Sequence, residues 1–371
     1  MVDEIAQFKA AVREGDSGKV RDLLSRHQSV RAAINEPLFN FDSPAIVVAA
    51  SRGDLEMLKV LIEFGAQINA RSQWWAGGWG VLHWQSLHQR DPEVINFLIA
   101  HGAVVDAYAA SGLGWLDRLD EILQADPEQV NSPGPDGLTP LHFARNPQVA
   151  QFLLDRGAEI DARDIDHRGT PAQWSVSDRP AVCEFLLEKG SRPDALFLHI
   201  ALGNRDEVQS LLSENPTLLS SRSEGEAPGG HINSYTGVGS YSTPLITAAR
   251  FHQTEIAELL IDLGADPSER GEFGGNALHW AAWHGSHRIV RLLVAAGAPL
   301  NVKSIEHSAT PLIWALDGCL EGEGVRGNYF ETVSILVDAG ADLSEVTDQW
   351  LTKLKQAGQQ EILNLLKSRG R

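Results

Sequence analysis

Two acid-histidine pairs, Asp166-His167 and Glu306-His307, join residue types that hold divalent metals or exchange protons. His231 and His284 are further imidazoles able to act as a general base, with Asp178 or Asp317 as the carboxylate such a base needs. A second kind of chemistry is stacking. Ten tryptophans stand among 371 residues, three of them in the run Gln73-Trp-Trp-Ala-Gly-Gly-Trp-Gly80, and an indole offers a large apolar face with one donor. None of these residues lies in a motif that performs catalysis by itself. The chain has no phosphate loop, nucleophile elbow, dinucleotide fingerprint or zinc-spaced Cys/His cluster. A site must be assembled from residues far apart in sequence, so the elements that carry them decide what it is.

Those elements repeat. Thr139-Pro-Leu-His-Phe-Ala144 recurs in altered form as Thr243-Pro-Leu-Ile-Thr-Ala248, Asn276-Ala-Leu-His-Trp-Ala281 and Thr310-Pro-Leu-Ile-Trp-Ala315, at a period of roughly 33. Thr-Pro starts a helix, because the hydroxyl accepts from orphan backbone donors and proline at the first helical position has none to waste. Leu278, Ala281 and Ala282 fall on one face, small enough for a neighbouring helix to approach, and Ile289, Leu292 and Leu293 supply the facing stripe. Gly297 then suits the left-handed cap that ends the second helix.

These motifs resemble the ankyrin repeat, in a bacterial-type form with degenerate repeats and insertions. The resemblance covers most of the chain and implies an all-α repeat solenoid, an ankyrin-like stack of helix-turn-helix units with short β-hairpin connections. A single array over 1–371 is expected: a cap-like unit at 1–35, repeats over 40–342, and C-terminal capping helices at 344–371. Insertions interrupt it at 220–242 and 317–328. The first carries His231, Tyr235 and Tyr241 and reads as an ordered, functional loop. The fifth unit, from Thr139 to Gly157, is short enough that one of its helices must be curtailed.

In this family ligands meet the hairpin tips and first helices, which line a concave groove, and the signature histidines, here His83, His142 and His279, brace the hairpins. By register the next position holds Trp84, Phe143, Trp174, Trp280 and Trp314, an aromatic row with a packing role or a stacking role. Further along the first helices come Leu87, His88, Ser177, Asp178, Arg250, Phe251, Trp283, His284 and Asp317. The tips add Arg71, Trp74, Trp75, Asp166, His167, Glu272, Phe273, Glu306 and His307. Helix layers stack at about 8–10 Å, which keeps the two acid-histidine pairs apart over some four units, so neither a shared metal nor a cofactor is expected.

The formal net charge of −18 argues against nucleic acid and anionic membrane as partners. Cys183 and Cys319 read as small core residues without a disulfide framework. The acid-bearing N-terminus does not read as a secretory signal and no run reaches the ~18 apolar residues of a membrane span, so a cytoplasmic location is expected. The leading reading is a recognition scaffold for a protein or other ligand, without a catalytic motif. The alternative is an enzyme or a binder of a small, sugar-like or aromatic molecule, its pocket covered by the 220–242 loop.

Overall fold

The computed structural model describes residues 2–89, 91–223, 241–271, 274–305, 308–321 and 327–370. The chain folds as two compact units, Met1–Arg192 and Pro193–Arg371. Each is built of successive helix pairs. In the first unit these include Val2–Glu14 with Ser17–Arg26, Ala45–Ser51 with Leu55–Glu63, and Ala107–Leu113 with Leu116–Ala125. In the second they are Ala195–Leu202 with Arg205–Glu214, Pro244–Arg250 with Thr254–Asp262, Ala277–Trp283 with His287–Ala295, Pro311–Glu321 with Tyr329–Asp338, and Asp348–Gln356 with Gln360–Ser368. The hairpin connections shrink to isolated antiparallel bridges, Arg71 with Gly80 and Arg270 with Asn276. Among the described residues no helix is long and apolar enough to cross a membrane.

Local chemistry accounts for the helices. Thr243 accepts a hydrogen bond from the Ile246 amide at 3.2 Å, and Pro244 occupies the first helical position. Leu245, Ile246, Ala248 and Ala249 are buried on the face so produced. Ala281 and Ala282 are fully buried, and beside them Gly318 lets the helix Pro311–Glu321 come close: a Cβ there would stand 2.1 Å from the Trp283 carbonyl oxygen.

In three repeats a histidine at the third helical position, His83, His142 or His279, fastens the first helix to the segment that follows. The Asn276 amide donates to His279 Nδ1 at 3.1 Å, so the proton sits on Nε2, which donates to the Ala309 carbonyl at 3.3 Å. His142 does the same between the Thr139 amide and the Gly169 carbonyl. His83 receives from the Gly80 amide and turns Nε2 to Asp106 at 2.7 Å. At Thr170 a glutamine takes the place: Gln173 Oε1 accepts from the Thr170 amide at 2.7 Å. Burial pushes His142 and His279 down to about 4.

The first helix of the fifth repeat is curtailed to one 3-10 turn, Pro140–Phe143. Its orphaned carbonyls are met from the next repeat by Arg179, whose side chain is almost wholly buried. Nη1 donates to the His142 and Ala144 carbonyls at 2.7 and 3.1 Å, and Nη2 to the Trp174 carbonyl at 3.3 Å. In the third repeat Val81–Trp84 runs into a π-turn, Gln85–Gln89, which carries Leu87 into the core, fully buried. Leu87, expected on the groove side, is therefore a packing residue.

Two predictions follow from these contacts. Arg179→Met leaves three carbonyls without donors and is expected to cost about 3 kcal/mol, read as a lower urea midpoint at unchanged m-value. For His279 the folded pKa lies below the unfolded value of 6.5, so the unfolded chain takes up the proton first. Its contribution is whole above pH 6.5 and is lost as pH falls towards 4, by about 3 kcal/mol. His279→Gln, which keeps a cap acceptor, should flatten the fall of the melting temperature across that window while costing a little stability at pH 7.5.

Candidate functional site

In the second unit, the face on which the small residues of Ala277–Trp283 pack leaves Trp280 and Trp283 on the other side, three residues apart and both half-buried. They border a cavity of about 400 Å³ whose walls also include Ala309, Ile313, Trp314, Asp317 and Glu321. Trp314 is 7% exposed. Its ring meets those of Trp280 and Trp283 at centroid distances of 5.4 and 5.9 Å and angles of 81° and 74°, and it meets the ring of the bracing His279 at 5.3 Å. Such edge-to-face contacts are the arrangement indoles favour, and they hold the aromatic wall in place. Tyr329 secures the end of the helix, donating its hydroxyl proton to the Trp283 carbonyl at 2.9 Å.

Arg250 places its guanidinium 4.8 Å from the centre of the Trp280 ring. His284 stacks on the same tryptophan at 6.2 Å and lies 4.5 Å from His252. Burial first, then the nearby His252 and Arg250, push His284 down to about 4. The neighbours that act on it are bases, and among the described residues no carboxylate acts on it as a general base's partner would. Phe251, at the cap of Pro244–Arg250, is half-buried, and Tyr241 is exposed with φ 52°.

The first unit gathers a different group at its hairpin tips. Trp74 donates its indole proton to Asp166 at 3.2 Å, while Trp75 is 67% exposed. Asp164, buried, accepts from the Gly169 amide at 2.7 Å and from the Trp174 indole at 2.9 Å. Trp174 is thereby a hairpin brace, 8% exposed. His167 lies 3.6 Å from Asp164 and 3.9 Å from Asp166. Its pKa is raised: burial alone would lower it, but Asp164, Asp166 and Asp136 together outweigh that. Asp136, Asp166 and His167 each bring one potential ligand atom within 4.8 Å of the others. Burial, helped by the nearby carboxylates of Asp166 and Asp164, pushes Asp136 up to about 6. Trp84 packs on Trp79 at 5.2 Å and on exposed His88 at 4.6 Å.

Of the residues singled out in sequence, Trp280, Trp283, His284, Trp314, Asp317 and Arg250 thus come together in one unit, and Trp74, Trp75, Asp166, His167 and Trp174 in the other. The aromatic row is not one uniform surface, since Phe143 is fully buried against Trp79, Tyr108 and His83. His231, Tyr235, Glu306 and His307 lie outside the described residues, as do Glu272 and Phe273. Sequence reasoning missed Ile313 and Glu321. It began the second insertion at 317, whereas the helix runs on to Glu321, and the four-residue spacing of 313, 317 and 321 was the available signal. It also missed Asp136, whose partners come from two other hairpins.

Replacing Asp136 tests the electrostatics of the tip cluster. A carboxyl whose pKa is raised in the folded state is a liability once ionised, so the burden appears as pH rises from 3.8 through 6. Asp136→Asn, at a left-handed position (φ 53°) that asparagine tolerates, should raise stability by up to about 3 kcal/mol at pH 7.5. Below pH 4 it should have little effect; melting curves at both pH values read the difference.

Comparison with known proteins agrees with the repeat pattern. Family models described as "Ankyrin repeats (3 copies)" match residues 196–304 and 245–347, "Ankyrin repeats (many copies)" match 46–99, and "Ankyrin repeat" matches 136–165, together more than half of the chain. The chain is 27% identical over 309 residues to the ankyrin repeat protein nuc-2 of Neurospora crassa, covering 77% of this chain and 27% of that protein. It is 42% identical over 74 residues to protein PhlB of Serratia liquefaciens, covering 20% of this chain and 33% of that one. With the E3 ubiquitin-protein ligase KEG of Arabidopsis thaliana it shares 25% identity over 363 residues, 91% of this chain and 19% of the relative. The chain thus spans a third or less of the length of these relatives. Among solved structures, the ankyrin repeat domain of human ASB11 aligns with a TM-score of 0.40 at 20% identity, over 64% of this chain and 98% of that one.

Proposed function

Because the chain belongs to the ankyrin-repeat family, whose stacked helix pairs serve as protein-interaction scaffolds, we propose that it binds a partner protein through the aromatic groove of its first helices and hairpin tips. The observation that carries this reading is the placement of Trp280 and Trp283. The helix needs only its small residues to pack, yet two half-exposed indoles stand beside a cavity of about 400 Å³. Tryptophan is the side chain most enriched at the energetic centre of interfaces, because it buries much area at small entropic cost. Exposed Trp75 offers a comparable anchor on the first unit. The relatives in which such repeats occur are far longer than this stretch, and the identity of the partner is not carried over from them.

The cavity also has the size of a small-ligand site, which supports the second reading, a binder of a small planar or sugar-like molecule. A thermal-shift screen against aromatic metabolites and sugars separates the two. A protein-docking groove should give no shift above about 1 °C, whereas a ligand held at a hundred times its dissociation constant adds about 2.7 kcal/mol.

The docking face itself is tested by photo-crosslinking. A benzoylphenylalanine in place of Trp283 should capture discrete protein partners. The same group in place of Arg288, exposed on the second helix, should not. Equal capture from both positions would remove the groove from the proposal.

A further inference from the structure

The polar wall of the second unit's cavity carries charge of one sign. Ile313, Asp317 and Glu321 stand four residues apart on the helix Pro311–Glu321 and so form one stripe, with the two carboxylates as neighbours. Neither has an ion-pair partner among the described residues. Like charges at this spacing repel, and both lie in the last turns of the helix, where the carbonyl ends of the peptide dipoles already concentrate negative potential. The remaining wall is three indoles, whose faces are electron-rich, together with Ala309 and Ile313. Carboxylates, helix terminus and ring faces therefore all favour a cation in the cavity. The fold uses the same chemistry next door, where the Arg250 guanidinium lies over Trp280.

Resting on the reading of this face as a docking groove, we propose that the cavity receives the ammonium group of a lysine from a basic segment of the partner protein. The lysine stem, apolar along its methylenes, lies against Trp283 and Ile313, while the charged end reaches Asp317 and Glu321. An acidic anchor would meet two carboxylates. A neutral apolar anchor would desolvate Asp317 without compensation. The net charge of −18 favours the approach of a basic segment over an acidic one.

The test uses the full chain with nitrogen-labelled indoles and three peptides, acetyl-Gly-Ser-Lys-Ser-Gly amide and the same peptide with norleucine or glutamate at the centre. The lysine peptide should move the indole signals of Trp280 and Trp283 with an affinity roughly tenfold above that of the norleucine peptide. The glutamate peptide should bind more weakly than either. The double variant Asp317→Asn with Glu321→Gln, which keeps size and polarity, should erase the preference for lysine, and Trp283→Ala should weaken both peptides. Equal affinity for lysine and norleucine overturns the proposal while leaving the docking groove standing, as does a preference that survives in the double variant. If none of the peptides moves these signals the lysine anchor is likewise rejected, and the groove is then judged separately by the crosslinks at position 283.

Discussion

The structure depends on a bond pattern that only an uncharged ring, or an amide imitating it, can make. The imidazole at the third helical position accepts the amide proton of its own cap through Nδ1 and donates from Nε2 to the hairpin ahead. One side chain thus satisfies an orphan donor at a helix start and sets the distance to the next repeat. Protonation would destroy the acceptor, and burial, which pushes His142 and His279 down to about 4, keeps the rings neutral. Gln173 keeps the cap without the titration, while Asp164, bonded to Gly169 and Trp174, holds the hairpin that leads into the same helix.

With the repeats so fixed, the first helices divide their residues by size. Ala281, Ala282 and Gly318 permit close approach on the packing side, which leaves bulk to be accommodated on the other. Trp280 and Trp283 stand there, propped by Trp314. The cavity beside them is a consequence of this division together with the extension of the helix Pro311–Glu321 by one turn beyond the length of its neighbours. Where a helix is instead shortened, as at Pro140–Phe143, the array is repaired by Arg179, a charge held in the core by backbone carbonyls of the truncated turn. Lengthening and shortening of single first helices are thus two of the irregularities of the stack, and the first of them makes a candidate binding site.

The two units concentrate acid in different ways. At the tips of the first, Asp136, Asp164 and Asp166 are gathered around His167 and tied to indole donors. On the second, Asp317 and Glu321 share a helix stripe facing indole rings. The first arrangement spends its carboxylates on holding hairpins together, at an electrostatic cost visible in the raised pKa of Asp136. The second leaves them directed at a cavity, which is what distinguishes a candidate for recognition from a structural brace.

Much of the architecture was legible in the chain. Thr-Pro starts, alanine-lined faces, leucine stripes and Gly-Ala ends are local rules, each satisfied within about 33 residues, so the repeat units and the curtailed fifth repeat could be read directly. The bracing role of the histidines came from the resemblance to the ankyrin repeat, and the structure shows their bonds closing within one repeat and the next. What the sequence could not decide was which of the flagged aromatics stay open. Phe143, Trp174 and Trp280 occupy equivalent positions, yet the first is fully buried, the second is 8% exposed and bonded to Asp164, and the third borders a cavity. The exposure of a side chain at a repeated position depends on the length of the next helix and the bulk it brings, and those belong to the neighbour. Tertiary structure alone brought Asp136 to Asp166 and Glu321 to Trp283, because these contacts join residues from different repeats, and no local periodicity encodes a distance between them.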